Sequence, residues 1–306
     1  MPKTNVKNDR KAEDRRCRDK ARLREMRRTR WFFMPSLIGV SVFFLIPFLV
    51  VIYYSMVDNP VSGNFVGLSN FVALLRNMAF RRAAANTATF SLIAVPLAVI
   101  IPLLVAILLM QKIPMKSLFR TVLISPLMVP IASIVLIWEV LFHNNGVVNE
   151  WIITLGGTAI DWFKSDFSQF TIVLLYLWKN VGYNMILFMA ALAGIPKDIT
   201  EAAALDGASG YQTFFRIKVP YLSSTILFVT ILSVINSFKV FREVYLLTGD
   251  YPYDSLYLLQ HFMNNMFKSL DYQKLSSAAI LMGIVMVLII GLLFWIDRKL
   301  GKDIEE

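Results

Sequence analysis

Glu201-Ala202-Ala203-Ala204-Leu205-Asp206-Gly207-Ala208-Ser209-Gly210, running on to Ile217-Lys218-Val219-Pro220, decides how this chain is read. It sits in a connection over 194–220, long against the usual link between elements, and apolar runs flank it on both sides. Its composition is helical: Pro196 suits a first helical position, Asp198 with Glu201 three residues on offers a capping pair, and 201–205 are good helix formers. Gly207 is placed to end that helix, with Gly210 as a second pivot. A second short helix is expected over 211–218, with Phe214, Phe215 and Ile217 on its apolar side and Pro220 stopping it. The small residues Ala202, Ala203 and Ala204 let another backbone come close. Two short amphipathic helices bury little alone, so they are expected to dock on span ends on one side and on an outside partner on the other.

The rest of the chain says what those spans are. With 306 residues, 57% of them hydrophobic, and a mean hydropathy of +0.58, the chain is far more apolar than a soluble domain. It reads as an all-α integral membrane protein. Six segments are long enough to cross a hydrocarbon core of about 30 Å: about 31–57, 83–110, 121–142, 169–193, 221–247 and 275–296. They make a membrane domain over 31–297, between an N-terminal tail over 1–30 and a C-terminal tail over 298–306. The first apolar run is longer than a signal-peptide core and lacks a small-residue cleavage pattern, so it is expected to stay as an anchor. Between the first two spans, Phe71, Leu74, Leu75 and Met78 are spaced for a short helix lying at the interface. Pro96, Pro102, Pro126 and Pro130 fall within spans and are read as kinks that shape a cavity. The segments 144–168 and 248–274 read as polar loops, the first with Trp151 and Trp162 as interface anchors.

Charge sets the orientation. The net charge is +10, and 13 of the 31 Lys and Arg lie before Trp31 with five acids among them, so the tail holds +8. Leu23 and Met26 are too few for an apolar stripe there, and the tail reads as a retention signal for the cytoplasmic side more than as a nucleic-acid arm. With both termini inside, the tail, the 111–120 turn, the 194–220 loop and the C-terminus hold 13, 3, 3 and 3 basic residues against six in the outer segments. The Glu201 loop is thereby expected in the cytoplasm. Cys17 is the single cysteine, which rules out an intrachain disulfide, and His143 and His261 have no ligand-like spacing, so no metal site is expected.

Glu201-Ala202-Ala203, three residues, Gly207, nine residues, Ile217, one residue, then Val219-Pro220 resembles the cytoplasmic signature of permease subunits of binding-protein-dependent ABC importers. Val219 stands where that signature usually has Leu, a small apolar change. Phe65-Val66-Gly67-Leu68-Ser69-Asn70-Phe71 and Leu247-Thr248-Gly249, followed by Pro252 and Ser255, resemble elements of the maltose-type or glycerol-phosphate-type first subunit of carbohydrate importers. Asp250 and Tyr251 replace glycines usual in that second element, which implies a stiffer loop and a different substrate. The resemblance implies six transmembrane helices with a cytoplasmic coupling helix between the fourth and fifth. It assigns ATPase coupling to Glu201, Ala202, Ala203, Asp206 and Gly207. It further implies a multi-pass protein of a bacterial or archaeal cell (inner) membrane, in contact with lipid. Its implied partners are a second permease, two cytoplasmic ATPase subunits, an extracellular solute-binding protein and a sugar, with an oligosaccharide expected; no nucleic acid is expected.

No Gly-x4-Gly-Lys-Ser/Thr phosphate loop occurs in the sequence, so no cofactor is expected on this chain, and ATP and Mg belong on the partner ATPase. No nucleophile elbow or paired carboxylates can be placed in a cleft, and the chain reads as a non-catalytic subunit. Ionisable and amide groups inside spans cost enough to suggest a cavity or a partner. These are Lys179, Asn180, Tyr183 and Asn184 in the fourth span, and Asn236, Lys239, Arg242 and Glu243 in the fifth, where Lys239 is spaced to pair with Glu243. Two readings compete for them: a polar lining of the translocation path, with Tyr183 or Phe238 stacking on a sugar ring, or helix-to-helix glue with Lys239 and Arg242 snorkelling outward. A self-sufficient secondary transporter is the alternative function, although it would need repeats or broken helices with ion sites. A membrane enzyme or assembly scaffold is the third.

Overall fold

A computed structural model describes residues 33–301; the basic tail, Cys17 and the last five residues lie outside the described residues. The chain is almost wholly helical: α1 (Phe33–Met56), α2 (Ser69–Arg76), α3 (Met78–Met110), α4 (Lys116–Met128), α5 (Ile131–Leu141), α6 (Val147–Thr154) and α7 (Ser168–Ala193) come first. Then follow α8 (Lys197–Leu205), α9 (Gly210–Thr213), α10 (Ser223–Lys239), α11 (Phe241–Thr248), α12 (Leu259–Lys268) and α13 (Tyr272–Gly301). Five helical stretches are long and apolar enough to span a membrane, and α4 with α5 makes a sixth if that bent pair is one span.

The core is built around α7, which packs on α3, α4 and α10. Phe90 of α3 meets Tyr176 edge-on at 5.6 Å, and the Tyr176 hydroxyl donates to the Ser233 carbonyl at 2.7 Å. At Gly182 the backbone of α4 comes so close that a Cβ would lie 2.0 Å from the Leu123 carbonyl oxygen. Small residues permit such approaches where lipid supplies no hydrophobic drive between helices. By contrast α1 is exposed along almost its whole length and packs on α13.

Proline shapes the chain in three ways. α3 runs unbroken through Pro96 and Pro102. The third expected span is instead broken: Val129 is extended (φ −83°, ψ 133°), Pro130 opens α5, and α4 and α5 meet at 106°. The ring of Pro130 pushes the residue before it out of the helical region. The third outcome is a π turn. Ser41–Leu45 and Phe214–Lys218 are both π-helical, with Ile46 N–H bonded to the Ser41 carbonyl and Val219 N–H to that of Phe214. In each case a proline, Pro47 or Pro220, comes one residue after the segment's next residue begins the α-helix. The wider turn relieves the clash between a proline ring and the carbonyl four residues back. Pro220 therefore does not stop a helix: the chain stays helical from Gly210 through Tyr221 and passes through one turn residue, Leu222, into α10.

The loops over 144–168 and 248–274 are more ordered than a polar reading suggests. α6 lies within 144–168, held by the buried Asn149, whose amide reaches the carbonyls of His143, Asn144 and Ile160 and accepts from Ile160 N–H and the Trp162 indole. Trp162 is thus buried against Phe142 and Trp138 and is no interface anchor, whereas Trp151 is exposed. α12 lies within 248–274, and its Leu259 and Phe262 join Leu74, Phe80, Ala83 and Ala278 in one cluster. Leu74 thereby sinks α2 into the bundle end. Asn70 explains part of the Phe65–Phe71 element: its amide donates to the carbonyls of Ser55 and Val57 at 3.0 and 2.8 Å, closing the end of α1.

Candidate coupling loop and intramembrane polar cleft

The foot at 197–221 is built by end-capping. Pro196 stands at the N-cap of α8 and not at its first turn, and neither Asp198 nor any other side chain caps it. At the other end, Gly207 N–H bonds to the Ala204 carbonyl at 3.1 Å and Ala208 N–H to that of Ala203 at 2.9 Å. Gly207 has φ +78°. This pair of bonds about a left-handed glycine satisfies carbonyls that α8 would otherwise leave open. Gly210 is no second pivot; it is the first residue of α9. Ser209 and Gln212 form a reciprocal capping box there, with Gln212 N–H to Ser209 Oγ at 3.3 Å and Ser209 N–H to Gln212 Oε1 at 2.8 Å. The Ser-x-x-Gln spacing is its ordinary signature, which the sequence reading passed over. Glu201, Ala202, Asp206 and Gly207 are exposed, Ala203 is half-buried, and Leu205 is 89% exposed. The foot is a capped, open surface, joined from Gly210 through near-continuous helix to α10.

Inside the bundle, Lys179, Asn180, Asn236, Lys239, Arg242 and Glu243 line one cleft of about 220 Å³, with Leu127 and Ile131 at the α4–α5 break. The expected pairing inside one helix does not form. Val240 separates α10 from α11, and Glu243 Oε1 takes the ammonium of Lys179 across the helix interface. Asn236 Nδ2 donates to Asn180 Oδ1 at 3.3 Å, and Asn180 Nδ2 to its own helix at Tyr176 O, 2.7 Å. Asn184 lies elsewhere: buried between α3 and α10, it donates to the Ala98 carbonyl at 2.8 Å and to Ser233 Oγ at 3.2 Å. For Asn184 the glue reading describes these contacts. Tyr183 is outside the cleft lining as well.

Above the cleft, the segment after Gly249 (φ +77°) is strapped down. Asn86 donates to the Asp254 and Tyr257 carbonyls at 2.6 and 3.1 Å, and Ser168 and Ser255 share a 2.7 Å bond. Lys268 reaches Asp250 at 2.5 Å. That hydrogen bond holds the Asp250 carboxyl below its ordinary range and raises the Lys268 ammonium above its own. A second cleft, of about 440 Å³, opens beside this strap, lined in part by Glu139, Asp161, Lys164, Tyr251 and Tyr253.

A helical bundle with several apolar spans, a capped and exposed foot continuous with one span, and charged groups held in an internal cleft defines a membrane transport component. The chain belongs to the family described as binding-protein-dependent transport system inner membrane component, whose model matches residues 26–306. It is 30% identical to the lactose transport system permease protein LacF of Rhizobium radiobacter, over 89% of this chain and 94% of that one. It is 28% identical to the trehalose/maltose transport system permease protein MalF of Thermococcus litoralis, over 95% of this chain and the whole of that one. Its fold matches a chain in the crystal structure of a bacterial ABC transporter involved in the import of the acidic polysaccharide alginate, with a TM-score of 0.79 at 20% identity, over 91% of this chain and 99% of that chain. The chain is therefore a multi-pass permease subunit of a binding-protein-dependent ABC importer.

Proposed function

We propose that this permease forms half of the translocation path of a carbohydrate importer and is driven by a separate ATPase. Relatives named for lactose and for trehalose/maltose support the substrate class. The observation that carries the coupling role is the foot itself: α8, closed by Gly207, presents Glu201, Ala202 and Asp206 outward and leads through helix into α10, which holds Asn236 and Lys239 of the cleft. ATP and Mg bind the partner ATPase; closure of two such subunits in the cytoplasm draws the feet together, and α10 carries that movement to the path. A similar second permease supplies the other wall, and an outer solute-binding protein delivers the sugar. Both termini lie in the cytoplasm of a bacterial or archaeal inner membrane, and this chain performs no catalysis. Gly207→Asp tests the scheme. A full-length variant is expected in the membrane with its second permease, with uptake and ATPase co-purification lost. Normal uptake would remove the coupling role, and labelling of a probe at Ala203 from outside intact cells would put the foot on the wrong side.

A further inference from the structure

We infer that the cleft selects an anionic carbohydrate, one bearing a carboxylate or a phosphate, over a neutral sugar. This rests on the reading above that the cleft lies on a sugar's path. Three cations line it, Lys179, Lys239 and Arg242, against one carboxylate among the described lining residues, Glu243. Lys179 is taken by Glu243. Lys239 and Arg242 have neither an ion pair nor a side-chain hydrogen bond among the described residues, and both are exposed on the open side of the cleft. They sit three apart and present two positive charges to one space.

Depth argues against snorkelling. At about 1.5 Å per residue, Lys239 is about 14 Å inside the outer end of its span at Thr248, and Lys179 about 17 Å inside that of α7. Each stretch has 26 residues, about 39 Å at that rise against a core of about 30 Å; with the overhang shared between the two ends, Lys239 and Lys179 lie about 9 and 12 Å below the outer edge of the core. Unpaired charge at such depth is tolerated where it faces a cavity and a counter-charge. An arginine fork with an adjacent ammonium is suited to a carboxylate or phosphate group.

Glu243 does not offset those two cations: it is taken by Lys179, and its second oxygen, Oε2, is buried on a side chain only 4% exposed. The cleft, about 220 Å³, is below the roughly 300–1,000 Å³ usual for a small-molecule site, and its open side leaves room for a second wall.

The test uses the whole importer complex in nanodiscs, with no solute-binding protein added, and calorimetric titration with trigalacturonate, glucose 6-phosphate and maltotriose. At least one acidic probe is expected to bind about tenfold or more tighter than maltotriose, and which one distinguishes carboxylate from phosphate recognition. The double variant Lys239→Gln with Arg242→Gln is expected to bring acidic and neutral probes within about twofold of each other, while Lys239→Arg with Arg242→Lys keeps the preference. Maltotriose binding as tightly as the acidic probes, or a preference that survives the double Gln change, overturns the inference and leaves the carbohydrate reading standing. The second outcome would place the anion-binding group on Lys179 or on another chain. Binding of none of the three probes overturns both. A double Gln complex that does not assemble transfers the decision to the charge-keeping variant and the wild-type ranking, which suffice.

Discussion

Replacing Gly182 with alanine places a methyl group where the backbone of α4 already lies. The added Cβ would be 2.0 Å from the Leu123 carbonyl oxygen, 2.5 Å from its carbon and 2.9 Å from Ile124 Cα, where ordinary contacts begin at 3.4 Å. No rotamer change relieves a clash with main chain, so α4 and α7 must separate by more than an ångström. Overpacking usually costs about 1–3 kcal/mol when side chains give way; with backbone as the obstacle, about 3 kcal/mol or more is expected. The separation also loosens Leu123 and Ile124 from the cluster of Met185, Phe188 and Met189, and it moves the α4–α5 break, whose Leu127 and Ile131 wall the cleft, away from Lys179 and Asn180. Thermal unfolding of the purified complex in nanodiscs, followed by uptake in whole cells, reads both effects. Gly283→Ala and Gly291→Ala are the controls, since their added Cβ atoms meet nothing within 4 Å. A Gly182→Ala complex that melts and transports like the wild type would refute the close approach of α4 and α7.

Other substitutions probe the loops and the cross-helix pair. Asn149→Ala leaves the Ile160 amide and the Trp162 indole unpaired, at about 1–3 kcal/mol each, so limited proteolysis should cut 144–167 much faster than in the wild type. Lys179→Met strands the buried Glu243 carboxylate and should lower stability by about 3–5 kcal/mol, while adding Glu243→Leu should restore most of it; a double-mutant cycle showing simple additivity would contradict the pair. Burial pushes His261 down to about 4, with Asp250 opposing. The unfolded chain takes up that proton first, so the His261 contribution is present above about pH 6.5 and declines as pH falls towards 4. His261→Asn should flatten that part of the stability profile, and an unchanged profile would show that His261 titrates alike in the folded and unfolded chain. Gly207→Ala meets no neighbour within 4 Å but holds a left-handed φ at about 1–2 kcal/mol, so it should impair uptake less than Gly207→Asp.

Some of this was legible because its cause is local. Long apolar runs mark spans wherever they occur, and α1, α3, α7, α10–α11 and α13 lie where composition placed them, with shifts of a few residues at the ends. α3 begins five residues early, at Met78, because Asn77 accepts from Phe80 N–H and supplies the cap. Gly207 was equally readable, since a glycine after a run of helix formers is the common way to turn a chain left-handed. The span prolines were read alike as kinks and Pro220 as a stop, yet the chain passes Pro96 and Pro102 unbroken, breaks at Pro130 and widens into a π turn before Pro220. A proline ring removes a hydrogen bond and crowds the turn before it; neighbouring helices decide whether the chain passes straight, widens or breaks. Helices α6 and α12 were hidden because their stability comes from Asn149 and from burial of Leu259 and Phe262, in stretches that composition counts as loop.

From its residues alone, the chain declared itself a bundle of apolar helices with a capped Ala- and Gly-built loop between two of them, because hydropathy and capping act over a few neighbouring residues. Folding in three dimensions decided that Glu243 meets Lys179 and not Lys239, that Asn184 joins helices while Asn180 and Asn236 line a cleft, and that Gly182 admits the backbone of α4. Those outcomes depend on which groups from distant parts of the chain arrive within about 3 Å of one another, a distance that no spacing along a single helix specifies.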